Sequence, residues 1–312
     1  MNIYFAPLEG IGGYIYRNAH NDYFKNVDKY FSPFVGTRAT GIMKNKELKD
    51  ILPENNEGVN LVPQIMTNNA QGFCNAAKQM ADMGYEEVNL NLGCPSGTVV
   101  GKGRGAGFLK TKDALDEFLD EIYSKCKVNI SIKTRIGYSD PEEFYRLIDI
   151  YNKYPVYELI IHPRTRMDMY IGTPDYDVFE DAVRLSKNPL CYNGDIKTFE
   201  DYKMITERFD GIKSVMIVRG FLSNPNLINE IKYGDTLDKH ILKEFHDRLY
   251  SDYSRIFDGE RNVLFKMKEL WCYMADVYAD CEKYFKKIKK AQHLSEYNVI
   301  VSRLFKECSI KL

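Results

Sequence analysis

Short apolar runs rich in β-branched and aromatic residues recur about every 25 to 30 residues through the first three quarters of this chain, with amphipathic stretches between them. The runs cover residues 3–7, 29–35, 61–66, 87–92, 129–134, 158–162, 190–193 and 214–218. Helical periodicity fills 71–83, 114–124, 142–154 and 199–208, and a weaker helix is expected near 44–51. Strands that alternate with helices must pair in parallel, because each crossover returns the chain to the same end of the sheet. Eight such units predict an α/β fold, a closed (β/α)8 barrel. Past Tyr233 the strand-like runs stop, and helical patterns rich in Lys, Glu and Tyr cover 241–257, 263–279 and 281–291. The expected organisation is therefore a barrel over 1–234 and a small helical domain over 235–312, divided near Gly234-Asp235-Thr236.

Several classes are excluded by what the chain lacks. No apolar run is long enough to span a bilayer, and the first residues carry no secretion signal. The seven cysteines form no CxxC pair and no metal-ligand spacing, so no metal site is expected. An odd number of scattered cysteines fits reduced thiols in the cytoplasm. The net charge of −1 argues against wholesale nucleic-acid binding. The charge is uneven, however. From Lys283 onward eight basic residues (283, 286, 287, 289, 290, 303, 306 and 311) face two acidic ones, Glu296 and Glu307. Lysines 283, 286, 287 and 290 recur at helical spacing and share a face that suits phosphates.

In a barrel of this kind functional groups gather where the strands end. Read in order, those ends carry Pro7-Leu8-Glu9-Gly10, Gln64, Asn91 with Cys94, Lys133 with Arg135, His162 with Arg164, Asn193-Gly194-Asp195, and Arg219-Gly220. One polar group at a strand end has an ordinary structural explanation; a polar group at nearly every strand end does not. After the fourth strand, Cys94 beside Pro95 leads into a loop with glycines at 101, 103, 105 and 107. Glycines let backbone approach a flat or anionic ligand, and a thiol there suggests an acid or a nucleophile. The segments after strands seven and eight read as a phosphate site, built from loop amides, a helix N-terminus and Arg219. Gln64 suits the donor–acceptor edge of a heterocycle, and Lys133 suits negative charge gathering on a reduced ring.

These pieces together resemble the tRNA-dihydrouridine synthases, flavin enzymes that reduce uridines in tRNA. The resemblance rests on Ala6-Pro7-Leu8-Glu9-Gly10, Pro63-Gln64-Ile65, Asn89-Leu90-Asn91-Leu92-Gly93-Cys94-Pro95-Ser96, Gly105-Ala106-Gly107-Phe108-Leu109, Ile132-Lys133-Thr134-Arg135-Ile136-Gly137, His162-Pro163-Arg164-Thr165, Asn193-Gly194-Asp195-Ile196 and Met216-Ile217-Val218-Arg219-Gly220. It implies a TIM-type barrel with a helical tRNA-binding domain and a noncovalent FMN reduced by NADPH. The implied FMN contacts are Pro7, Leu8, Glu9, Gln64, Lys133, His162, Asn193, Gly194, Asp195, Val218 and Arg219. Cys94 is implied as the proton donor. Asn91, Arg164 and Tyr170 are implied at the target nucleotide, and Lys286, Lys287, Lys289 and Lys290 at the tRNA backbone. Three positions depart from the family pattern: Val218 stands for a common glycine, Pro163 follows His162, and Gly36 follows Phe34-Val35 where one subfamily carries an arginine. Arg38 lies two residues further on.

The chemistry implied is conjugate reduction. Hydride adds at C6 of uracil, charge builds at C5 and O4, and an acid protonates C5 from the opposite face. An ordinary thiol titrates near ~8.5 and is protonated at neutral pH, which suits that acid. A uridine folded into tRNA must also leave its stack to reach a barrel mouth. Two rivals are kept in view: an FMN barrel acting on a free pyrimidine or other conjugated carbonyl, and an RNA-binding barrel without turnover. The expected partner is tRNA, with no membrane and no obligate protein partner.

Overall fold

The computed structural model describes residues 1–37 and 45–311. Arg38 lies outside them. Eight parallel strands close a barrel in sequence order: β1 (Asn2–Phe5), β2 (Lys29–Gly36), β3 (Leu61–Met66), β4 (Glu87–Leu92), β5 (Asn129–Gly137), β6 (Leu159–Thr165), β7 (Leu190–Tyr192) and β8 (Ser214–Ile217). Pairing of Asn2 with Ser214 and of Phe5 with Ile217 seals β1 to β8. Between the strands run α1 (Tyr14–Phe24), α2 (Asn45–Ile51), α3 (Ala70–Asp82), α4 (Gly97–Val100), α5 (Lys112–Lys125), α6 (Glu143–Tyr151), α7 (Tyr176–Leu185) and α8 (Phe199–Arg208). Short helices α9 (Arg219–Ser223) and α10 (Leu227–Tyr233) follow the last strand. Helix starts are fixed locally. The Asn69 side chain accepts from Gly72 N, and Thr198 with Asp201 forms a capping box at α8.

The lower barrel is filled by Tyr4, Ala6, Phe31, Val62, Ile160, Cys191 and Met216. Toward the C-terminal ends of the strands the filling turns polar, with Gln64, Asn89, Asn91, Ser131, His162 and Asn193 all buried. Burying this many amides costs stability unless each is hydrogen-bonded, so the polar layer marks the site. Pro33, which has no N–H for the ladder, stands where the β2–β3 register shifts between Phe31 and Phe34.

The chain leaves the barrel through Gly234 in the left-handed region (φ 75°), which terminates α10. Helices α11 (Lys239–Ile256), α12 (Glu260–Met274), α13 (Glu282–Lys290) and α14 (Leu294–Glu307) follow. They share one hydrophobic core with the barrel. Phe245 of α11 meets Phe24 edge-on at 5.2 Å and Tyr16 at 5.6 Å, burying the outer face of α1. Further out, Trp271 Nε1 donates to Tyr297 Oη at 2.8 Å, and His246 Nε2 lies 2.7 Å from the same oxygen.

Two expectations change here. The region past Tyr233 does contain strand: Tyr278–Ala279 (β9) and Ser309–Ile310 (β10) pair antiparallel and tie the end of α12 to the C-terminus. The expectation of reduced thiols also fails in part, because Cys281 and Cys308 form a disulfide with a Cα separation of 6.1 Å. The short β-pair brings them together, since each cysteine lies within two residues of a paired one. The other cysteines are free. No helix of the described residues is long and apolar enough to cross a membrane.

Candidate active site

The strand ends converge on a cavity of about 320 Å³, a size suited to a cofactor or small molecule. A chain of amides organises its floor. Asn91 Nδ2 donates to Gln64 Oε1 at 2.7 Å, Gln64 Nε2 to Asn89 Oδ1 at 2.8 Å, and Asn89 Nδ2 to Ser131 Oγ at 2.9 Å. Gln64 N donates to Ser32 Oγ at 3.0 Å. The amides of β3 and β4 are thereby oriented before any ligand arrives, and the second lone pair and second N–H of Gln64 remain for one.

Asn91 also shapes the turn that carries Cys94, its Oδ1 accepting from Gly93 N at 3.1 Å and Cys94 N at 2.9 Å. Ala106 N donates to Cys94 O at 3.0 Å. The role expected of the glycine loop changes accordingly. None of Gly101, Gly103, Gly105 and Gly107 lines the cavity. A Cβ on Gly105 (φ +54°) would stand 2.8 Å from Cys94 O, and one on Gly107 2.7 Å from Val100 O. The loop is glycine-rich because it packs against its own backbone and so fixes the cysteine. Burial pushes the Cys94 thiol up, outweighing the nearby Arg135 and Lys133, and keeps it protonated at neutral pH.

Opposite the amide floor the cavity is cationic. Lys133 is half-buried and donates to Asn193 Oδ1 at 2.6 Å, while Asn193 Nδ2 donates to Met216 O at 2.8 Å. Burial first, then the Arg135 charge, lower Lys133 to about 8. Arg135 is buried and binds Gly93 O, Thr165 O and Met169 O at 2.7–2.9 Å, lacing the β4, β5 and β6 ends together. His162 is driven well below its ordinary value by burial and then by the charges of Arg135, Lys133, Arg164 and Arg219, so the ring is neutral. Its Nε2 lies 3.0 Å from Arg164 Nη1. A guanidinium only donates, so Nε2 accepts and the ring proton sits on Nδ1.

Asp195 joins two arginines: Arg164 reaches both its oxygens, at 3.2 and 2.6 Å, and Arg219 Nη2 donates to Oδ1. Burial opposes the charge of Asp195, but the Arg164 hydrogen bond and the two guanidinium charges outweigh it and hold the carboxyl low. Gly194 stands where a Cβ would collide with the Tyr192 hydroxyl, and on Gly220 a Cβ would meet Ile196 O at 2.6 Å. Both late turns therefore present bare backbone.

Of the residues singled out by sequence, Pro7, Leu8, Glu9, Gln64, Asn91, Cys94, Lys133, His162, Asn193, Gly194, Asp195, Val218, Arg219 and Tyr170 all line this one cavity. Tyr170 stacks on His162 with centroids 6.0 Å apart, and Arg135 and Arg219 approach its ring at 5.1 and 5.9 Å. Arg164 is not in the lining. It is 2 % exposed and spent on Asp195, His162 and the carbonyls of Ile171 and Gly172. Lys286, Lys287, Lys289 and Lys290 are exposed on α13, which packs on α12 and α14 through Tyr284 and Ile288. Sequence reasoning missed Tyr273, which reaches the cavity from α12. That helix turns Val263, Met267, Leu270 and Met274 inward, and no local pattern marks Tyr273 as different from any half-buried tyrosine.

Comparison with known proteins agrees with this geometry. Residues 4–309 match the family model described as dihydrouridine synthase. A probable tRNA-dihydrouridine synthase of Rickettsia conorii is 26% identical over 262 residues, covering 82% of this chain and 78% of the relative. A tRNA-dihydrouridine(16) synthase of Vibrio parahaemolyticus is 24% identical over 302 residues, covering 93% and 92%. Among solved structures, the old yellow enzyme from Trypanosoma cruzi shares the fold with a TM-score of 0.52 at 10% identity, covering 81% of this chain and 94% of that one. With a family match that runs from the first barrel strand to the last residues of the helical tail, this chain belongs to the dihydrouridine synthase family.

Proposed function

We propose that this oxidoreductase reduces the C5=C6 bond of uridine in tRNA with a noncovalent FMN that NADPH recharges, and that Cys94 delivers the proton to C5. The observation that carries the reading is the pairing of a protonated thiol with a cationic, amide-floored cavity at the barrel mouth. The donor set fits FMN. Bare backbone at Gly194 with Asn193 and Arg219 suits its phosphate, Asp195 aligning the guanidinium. Gln64 and Lys133 suit the polar edge of its ring, with Pro7, Leu8, Glu9, His162 and Val218 as walls. A reduced flavin held there would supply hydride for C6.

The chain's own groups then have distinct tasks. Asn91 holds the Cys94 turn and offers its amide to the uracil. Lys133 and Arg135 favour the negative charge that conjugate addition creates. Tyr170 offers a ring for the displaced base to stack on, and Arg164 acts on the nucleotide through Asp195 and the carbonyls it holds. The lysines of α13 would bind the tRNA backbone. We place the reaction in the cytoplasm, with its tRNA substrate.

The test is Cys94→Ala. The variant is expected to retain flavin and to accept electrons from NADPH at the normal rate while losing at least 100-fold in dihydrouridine formation, in line with loss of a general acid, which contributes about 10²–10⁴. Near-normal product formation on unmodified tRNA would remove Cys94 from the role.

A further inference from the structure

Acidic partners neutralise many cations on the outside of the barrel. Lys78 pairs with Asp82, Lys112 with Glu143, Lys125 with Glu121, Arg146 with Asp113 and Lys153 with Asp116. The loops that follow β4 and β6 at the mouth are built differently. Lys102, Arg104, Lys110 and Arg166 form no ion pair with a carboxylate among the described residues. Neutral groups hold three of them instead. Arg104 Nε donates to Asn68 Oδ1 at 3.4 Å, and Lys110 Nζ stands 4.0 Å from the centre of the Tyr138 ring. The guanidinium of Arg166 approaches the same ring at 5.6 Å, and its buried Nε has no hydrogen-bond partner. Tyr138, the first residue after β5, is thus shared by a cation from the β4 loop and a cation from the β6 loop.

Four uncompensated positive charges on neighbouring loops repel one another, and an aromatic ring offsets only part of that cost. A polyanion would remove it. The loop bearing Lys102, Arg104 and Lys110 is the one that fixes Cys94 through Ala106 N and Gly105. Any chain of phosphates along these cations therefore passes beside the thiol. A lone nucleotide has too few phosphates to meet four charges spread over two loops; an RNA backbone has one per residue.

We propose that the loops after β4, β5 and β6 form a phosphate-binding rim for the RNA that flanks the reacting uridine, separate from the lysines of α13. This inference rests on the reading of the chain as a tRNA-reducing enzyme. The rim fixes where the strand runs at the mouth, and α13 holds the body of the RNA. Tyr138 serves both sides, keeping Lys110 and Arg166 at a set spacing with no acid to compete for them.

The experiment uses the full-length flavin-loaded enzyme and an unmodified tRNA transcript, with Kd measured between 50 and 200 mM KCl. Each phosphate contact contributes about 0.7–0.9 to the slope of log affinity against log salt. The triple variant Lys102→Gln/Lys110→Gln/Arg166→Gln is expected to lower that slope by about 2 to 3 and to weaken binding at low salt, with flavin content and RNA-independent NADPH oxidation unchanged. Lys110→Gln alone, which alters an exposed side chain without a hydrogen-bond partner, lowers it by about 1. Unchanged slope and affinity in both variants, with dihydrouridine still formed, overturns the rim and leaves the enzymatic reading intact. A wild-type enzyme that neither binds tRNA nor forms dihydrouridine overturns both.

Discussion

Lys133 gives the most quantitative handle on the cavity. Among the described residues its hydrogen-bond acceptor is a neutral amide, Asn193 Oδ1, and the opposing influence of Cys191 and Cys94 is smaller than the burial of its charge and the repulsion of Arg135. The ammonium is lowered from 10.5 to about 8, a penalty on the charged form of about 3 kcal/mol at 1.36 kcal/mol per pH unit. Acceptor atoms on the ring edge of FMN, with the charge of its phosphate across the cavity, would favour the ammonium and raise the pKa, so binding takes up a proton. The sign follows from linkage. Affinity is full below pH 8 and falls as pH rises through the free-state value, by up to tenfold per unit. If binding returned the group to 10.5, FMN affinity would drop about 30-fold between pH 7 and 9.5. Flavin fluorescence titration of the apoprotein across that range measures the fall directly. Lys133→Arg keeps its charge throughout and should bind FMN with a nearly flat pH profile. An identical fall in wild type and Lys133→Arg would refute the argument, because the proton taken up would then belong to another group.

Two other perturbations test separate parts. Gly194→Ala drives a methyl into the Tyr192 ring and hydroxyl, so the variant should lose about 1–3 kcal/mol of stability by overpacking and purify with less flavin, read by thermal melting and absorbance. Replacing Lys286, Lys287, Lys289 and Lys290 with glutamine should reduce the salt slope of tRNA binding by about 3 and leave flavin content untouched; an unchanged slope confines the RNA to the barrel mouth.

The barrel was legible because its signal is local. Each strand is a short apolar run and each outer helix buries a stripe, so pattern alone finds all eight β-elements, with errors at their ends. Strands β5 and β6 run three residues beyond the expected 134 and 162, because the polar residues that read as strand ends remain in the ladder, Gly137 pairing with Thr165. The cavity was legible for the same reason, since strand ends are adjacent in any closed barrel. The chain's long-range contacts were not. Nothing in the spacing of Cys281 and Cys308 announces a bond, which depends on a two-residue β-pair too short to leave a pattern. The glycines near Cys94 signal a close approach of backbone, but composition cannot say whether a ligand or the chain itself approaches. Arg164, charged and at a strand end, reads as a ligand contact until its five hydrogen bonds to protein are seen.

Helix α12 explains why the tail cannot be treated as a detachable RNA-binding module. Lys266 Nζ donates to Gly10 O at 2.6 Å and pairs with Glu269, so the helix grips the loop that carries Pro7, Leu8 and Glu9 into the cavity. Two turns beyond Lys266, Tyr273 contributes to the cavity wall itself. Asp276, just past the helix, accepts from Ser223 Oγ at 2.9 Å at the end of α9, the helix that Arg219 begins. Two sides of the cavity, the β1 loop and the β8 helix, are thus braced by residues more than 40 positions beyond the last barrel strand. Removing residues 235–312 would uncover Tyr16 and Phe24 and release both braces at once. Activity lost on such truncation says nothing about RNA contacts, and a surface-charge replacement in the full chain is the perturbation that separates binding from cavity assembly.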